Sequence, residues 1–172
     1  MRLLRYCVAS SLDGFIAGPN GEYDWIRPDA GIDFAALHGQ FDTLLMGRRT
    51  YEVARTRLDL LMGKRIVVVS TTLKNAGQEQ ISILSNNLGD ALTALKSEPG
   101  KDIWLMGGGV LFRSLLDLGL VDKVEVSVFP VLLGAGTPLI PAGKRASLKF
   151  DHCTELPSGV LMLSYSIPKA KP

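Results

Sequence analysis

The chain of 172 residues is 47% apolar and 21% charged, an ordinary balance for a soluble globular domain with a buried core. Its net charge of +2, without a Lys/Arg run, points away from a nucleic-acid surface, and no apolar stretch approaches membrane-spanning length. Cys7 and Cys153 stand far apart without metal-ligand spacing, as expected in a reducing compartment.

Met1-Arg2-Leu3-Leu4-Arg5 superficially has the basic character of a signal-peptide start. Ser10, Ser11 and Asp13 cut the following apolar run short, so a cytoplasmic single domain over residues 1–172 is expected. Residues 3–9 predict a first strand. Residues 13–28 hold Gly14, Gly18-Pro19-Asn20-Gly21 and Pro28, yet also Phe15, Ile16, Tyr23, Trp25 and Ile26. That is more apolar bulk than a passive connector requires, and it suits a packed lid or a disguised element. Asp29 can cap a helix over 31–41 that presents Phe34, Leu37 and Phe41.

Next comes Thr43-Leu44-Leu45-Met46-Gly47, a short apolar strand ending in Met-Gly, with a helix beginning near Arg49. Residues 64–70 are rich in β-branched side chains, the mark of a strand covered on both faces. A short strand at 81–84 precedes a helix with Leu88, Ala91, Leu92 and Leu95 on one face, capped by Asn87 and stopped by Pro99-Gly100. A second Met-Gly strand, Ile103-Trp104-Leu105-Met106-Gly107, feeds a helix through Leu118. Val124, Val126 and Val128 then alternate with Glu125 and Ser127. Two extended stretches after Phe150, joined around Pro157-Ser158-Gly159, predict a hairpin. The plan is an α/β fold: a mostly parallel sheet with an antiparallel C-terminal edge. Residues 124–133 and the glycine-rich segment after them could expose an apolar face or edge, from which a homodimer is expected.

The two Met-Gly turns carry the functional signal. A strand that enters a helix through glycine offers free backbone N–H groups and a positive helix end at the carboxyl edge of a sheet, where open α/β sheets hold anions. Gly47-Arg48-Arg49-Thr50 adds guanidinium forks and a hydroxyl suited to phosphate. The alternative is an ordinary turn with two solvated arginines and a threonine cap. Ser70-Thr71-Thr72 closes the next strand and could face the same ligand or simply make a turn. Gly107-Gly108-Gly109 lacks the third glycine of G-x-G-x-x-G, because Phe112 occupies that place. Three consecutive glycines cost conformational entropy, which favours close approach of a ligand to the backbone; a tight peptide geometry is the structural alternative.

Acid and base groups are sparse. His38 and His152 suit structural roles, no serine has a histidine partner, and no Cys/His group could hold zinc. Hydride transfer fits such a chain, because there the cofactor supplies the chemistry and the protein positions it.

Taken in order, Ser11-Leu12-Asp13-Gly14-Phe15-Ile16-Ala17, Asp24-Trp25, Met46 to Glu52, Val69-Ser70-Thr71, Met106 to Gly109 and Leu132 to Leu139 resemble the dihydrofolate reductase-like superfamily. They look closest to the reductase domain of the bifunctional riboflavin-biosynthesis deaminase/reductase and its stand-alone relatives. The resemblance implies a three-layer α/β/α fold and NADPH as cofactor. Arg48 would approach the 2′-phosphate, flanked by Ser70 and Thr71, with Arg49 and Thr50 at the pyrophosphate. Gly107, Gly108 and Gly109 would lie against the pyrophosphate and nicotinamide half, and the Ala9 and Ile16 backbone would hold the carboxamide. Residues 13–25 would form a mobile lid. The catalytic candidates are Asp33, nearest the place where true dihydrofolate reductases carry a carboxylate, and Trp25 in the lid. The H-x-E and P-C-x-x-C signature of the zinc deaminase half is absent. The leading expectation is an NADPH-dependent reductase of a small pyrimidine- or pteridine-like or ribosylamino-pyrimidine substrate. A non-catalytic nucleotide-binding module and a true folate reductase are the alternatives.

Overall fold

A computed structural model of the protein describes residues 1–29, 31–56, 63–74 and 80–168. In chain order the elements are β1 (Leu4–Ser11), β2 (Phe15–Ala17), α1 (Phe34–Gly39), β3 (Phe41–Gly47), α2 (Arg48–Ala54), β4 (Arg65–Val69) and β5 (Ile81–Leu84). They continue with α3 (Leu88–Ser97), β6 (Asp102–Met106), α4 (Gly109–Asp117), β7 (Lys123–Phe129), β8 (Thr137–Pro138), β9 (Lys149–Glu155) and β10 (Leu161–Ser166).

Eight strands form one sheet in the order β5-β4-β3-β6-β1-β7-β10-β9, and β2 pairs with β8 in a small second sheet. Pairing is parallel from β5 through β7 and antiparallel for β10 and β9. The expected parallel sheet with an antiparallel hairpin at one edge is therefore present. Side chains alternate between its faces. Leu4, Tyr6, Leu45, Val67, Ile103, Leu105, Val124 and Val126 point to one face and pack under Leu92 and Leu95 of α3 and Leu111, Phe112 and Leu115 of α4. On the opposite face Leu44, Met46, Ile66, Val68 and Ile81 pack under Tyr51 of α2. The run in β4 is covered on both sides, which is why its apolar residues do not alternate with polar ones.

Three expectations are corrected. The first helix is Phe34–Gly39, not 31–41. Asp33 caps it by accepting from the Ala36 amide at 2.8 Å, while Asp29 closes a turn by accepting from the Gly31 amide at 2.7 Å. Phe41 lies beyond the helix, buried at the start of β3. Asn87 occupies the cap position of α3, but in a left-handed conformation with φ 48° and no side-chain bond to the helix. Finally, β7 is no edge: β1 and β10 flank it, and the sheet ends at β9 on that side and at β5 on the other.

Candidate functional site

The parallel strands β4, β3 and β6 finish side by side, with Gly47 opposite Val69, while β1 runs on from Cys7, opposite Met106, to Ser11. Their carboxyl ends bring Ser70, Gly47 and Gly107 to one edge, beside the last half of β1. Arg48 opens α2 there. Its Nε donates to Glu52 at 2.7 Å, and its Nη1 donates to the Thr72 hydroxyl at 2.8 Å, bridging two turns. Ser70 is buried, and its Oγ accepts from the amides of Thr72 and Leu73 at 3.2 and 3.0 Å, so this hydroxyl shapes the turn. Arg49 and Thr71 are exposed and Thr50 is half-buried. Glu52 was legible as an i, i+4 partner of Arg48; the role of Thr72 depends on neighbouring strands and was not.

Gly107 and Gly108 have φ of +64° and +83°, which side chains rarely adopt. A Cβ at Gly108 would lie 3.5 Å from the Thr50 hydroxyl, so these turns meet face to face. Gly109 has another reason: its Cβ would come within 2.8 Å of the Leu139 carbonyl oxygen. A Cβ at Gly47 would meet nothing within 4 Å, so the start of α2 is open. The cap positions of α2 and α4 are glycines without side-chain bonds, which leaves first-turn amides for an anion.

The lid-like tract is anchored at its root. Asp13 accepts from the Leu133 and Gly134 amides at 3.1 and 2.7 Å and from the Ser11 hydroxyl at 2.6 Å. The Ser11 hydroxyl, then those amides, hold its carboxyl below the usual carboxylate range. Ile16 lies half-buried in β2, beside β8. Gly136 fits only without a side chain, since a Cβ would sit 2.1 Å from the Ala17 carbonyl oxygen. Trp25 packs edge-on to Phe129 at 5.6 Å, beside Leu156 and Val160.

A cavity of about 320 Å³ opens on the sheet face opposite α3 and α4. Cys7 and Ala9 of β1, Glu125 and Ser127 of β7, and Met162 and Ser164 of β10 contribute to its floor. Trp104, Phe129, Ile32, Phe34 and Leu37 line it as well. Glu125 receives Arg5 Nε and Nη2, each at 2.8 Å, and the Cys7 thiol at 3.0 Å. Burial pushes the Glu125 carboxyl up, but Arg5 and Cys7 outweigh it and hold it low. Burial, with Glu125 alongside, pushes the Cys7 thiol well up. Glu125 is thus a fixed anion and Cys7 an unreactive thiol. Neither Asp33, exposed at the α1 cap, nor Trp25 lines this cavity; Trp25 borders a neighbouring one that shares Arg27, Pro28 and Phe129. Among the described residues no His/Cys/Asp/Glu group could hold a metal ion, and no helix is long and apolar enough to cross a membrane.

The RibD C-terminal domain family matches residues 2–162. The chain belongs to this family. Its sheet and helices accordingly form the dihydrofolate reductase-like α/β fold, and a reductase-type domain is the function the family supports. The uncharacterized protein YyaP of Bacillus subtilis is 36% identical, over 92% of this chain and 91% of its own length. The riboflavin biosynthesis protein RibD of Corynebacterium ammoniagenes is 25% identical over 82% of the chain, a match that spans 47% of that protein. A crystal structure of a candidate riboflavin biosynthesis protein from Shewanella sp. PV-4 superposes with a TM-score of 0.85 at 26% identity, covering 98% of this chain and all of that one. The RibD C-terminal match takes in both Met-Gly turns and the cavity floor as far as Met162.

Proposed function

We propose that the protein is a cytoplasmic NADPH-dependent reductase that passes a hydride to a C=N or C=O carbon of a small heterocycle held in the cavity. The observation that carries this reading is a continuity. The edge bearing Ser70, Gly47 and Gly107 leads across to β1, and Ala9 of that strand also lines the cavity. Three strand spacings, about 14 Å, separate β4 from β1 along it.

When bound, NADPH supplies the hydride. Arg48 and Thr71 take the 2′-phosphate, with Ser70 and Thr72 fixing the turn that presents them. The first-turn amides of α2, with Arg49 and Thr50, take the pyrophosphate, and the Gly107-Gly108 backbone lies against the dinucleotide. Gly109 serves by letting β8 and Leu139 close over α4. The backbones of Ala9 and Ile16 flank the carboxamide. Trp25 closes the site from the lid side through Phe129, which lines both cavities together with Arg27 and Pro28. Glu125 is held by Arg5 and by the Cys7 thiol, so the proton is taken from water entering the cavity; Asp33, exposed at the α1 cap and outside the lining, does not touch it.

Titration with NADPH and NADH tests the cofactor reading. NADPH is expected to bind about tenfold or more tightly, through charge-assisted bonds that NADH lacks; equal affinity, or no binding, removes the reading. A nucleotide-binding module without catalysis is the second reading, favoured by the fixed ionisation of Glu125 and Cys7. Oxidation of bound NADPH by any of a panel of heterocycles, dihydrofolate included, decides against it.

A further inference from the structure

Strands β1 and β6 run in parallel register from Leu4 and Ile103 to Cys7 and Met106, and there they part. The chain leaves β6 at Gly107, whose φ of +64° turns it toward the start of α4, while β1 continues to Ser11 paired with β7. A fork therefore opens between the Gly107-Gly108 turn and Val8, Ala9 and Ser10, with no strand on that side of β1. One side chain spans the seam at its last rung. Trp104 stands opposite Arg5 in the register, and its Nε1 reaches two residues further along β1 to donate to the Cys7 carbonyl at 2.9 Å.

Packing alone asks only for an apolar side chain at position 104; tryptophan adds a donor and a flat wall. Ile103 and Leu105 point to the other face and are fully buried, whereas Trp104 is half-buried and lines the cavity together with Cys7 and Ala9. Its ring is braced by Phe41 at 5.3 Å and, edge-on, by His38 at 5.2 Å, and the Arg5 guanidinium lies 4.6 Å from the centre of the Phe41 ring. A donor on so fixed a ring holds its acceptor in turn. Cys7 is gripped from both sides, since Trp104 takes its carbonyl and its thiol donates to Glu125 of β7 at 3.0 Å. Ala9 is the next residue on that face and has only a methyl group to anchor it. On the fork side its backbone is placed by what fixes Cys7.

We propose that Trp104 is a positioning residue for hydride transfer. Its indole N–H fixes Cys7 at the fork, Cys7 sets the Ala9 backbone that flanks the carboxamide, and the nicotinamide end of the cofactor is thereby held in register with the cavity. The proposal rests on the reductase reading, and it gives this role to a tryptophan of the sheet rather than to Trp25 of the lid.

The test compares two ligands on the full chain: NADPH, and 2′-phospho-ADP-ribose, which lacks the nicotinamide. Trp104→Phe keeps a ring and removes the donor. Calorimetric titration should show NADPH binding weakened about three- to tenfold, the effect of one lost hydrogen bond, and 2′-phospho-ADP-ribose binding changed about twofold or less. A tryptophan that only packs would give equal losses for the two ligands, together with a lower melting temperature. Wild type supplies a second measurement should the variant not fold. The chain has two tryptophans, so the Trp104 indole N–H resonance is the one that survives in Trp25→Phe. It should shift on adding NADPH and hold its position with 2′-phospho-ADP-ribose. Equal losses, or an indole signal that NADPH leaves unmoved or that both ligands move alike, overturns the proposal. If neither ligand binds the wild type, the reductase reading falls and this assignment with it; if both bind and the losses are equal, this assignment falls alone.

Discussion

Arg48 and Thr72 are joined by a 2.8 Å hydrogen bond that spans from the start of α2 to the turn after β4. On the proposed cofactor reading, a guanidinium already held between Glu52 and Thr72 loses less ordering entropy when it meets the 2′-phosphate.

Arg48→Ala is expected to weaken NADPH binding about 10- to 100-fold, the size of a lost charge-assisted interaction, while changing NADH binding by about twofold or less. Thr72→Val keeps the cation and frees its orientation, so a loss of about two- to fivefold in NADPH affinity is expected. Titrations followed by nicotinamide fluorescence measure both. Equal losses for the two cofactors would assign Arg48 elsewhere.

The Arg5–Glu125 pair gives stability an acid limb. Glu125 has its folded pKa below an unfolded value of about 4.3, so its contribution is complete above that unfolded value and disappears as pH falls through the lower folded one. Urea midpoints should stay level from pH 7 to about 5 and then decline. Glu125→Gln should cost about 2–4 kcal/mol at pH 7, because Arg5 stays buried without its main partner. The variant should also decline less steeply in acid.

Asp13 pins the lid root to the segment after β7. Asp13→Ala should speed hydrogen exchange at the Leu133 and Gly134 amides by about tenfold or more, with Val126 in the central sheet unchanged. Exchange read by NMR checks this. An unchanged rate at both amides would mean that other contacts hold the loop.

The free edge of β9 predicts self-association. Antiparallel pairing of two copies centred on His152 sets Lys149 opposite Glu155 of the second copy, twice by symmetry. Sedimentation equilibrium should show a dimer that Lys149→Glu weakens and that the double swap Lys149→Glu, Glu155→Lys restores. A monomer at all concentrations would contradict it.

Much of the fold was legible because parallel strands announce themselves as short apolar runs. The turns at Gly47 and Gly107 were legible because glycine, arginine and hydroxyl residues bunch within a few positions. The first helix was misplaced because Asp29 and Asp33 both offer caps, and only the bonded amides separate them. The cavity floor was not legible at all. Cys7, Glu125, His152 and Ser164 come together only through the register of β1, β7, β10 and β9, which the alternation of Val124, Val126 and Val128 with Glu125 and Ser127 does not reveal.

The cover over the cavity differs in kind from the rest of the molecule. Helix α1 has no buried residue, while Leu92, Leu95, Leu111 and Leu115 anchor α3 and α4 in the core on the far side. Such a cover can lift at a small fraction of the global unfolding free energy. On the proposed reductase reading, molecules enter and leave by a local opening while the sheet below keeps its shape, and the rate of that opening sets a ceiling on turnover.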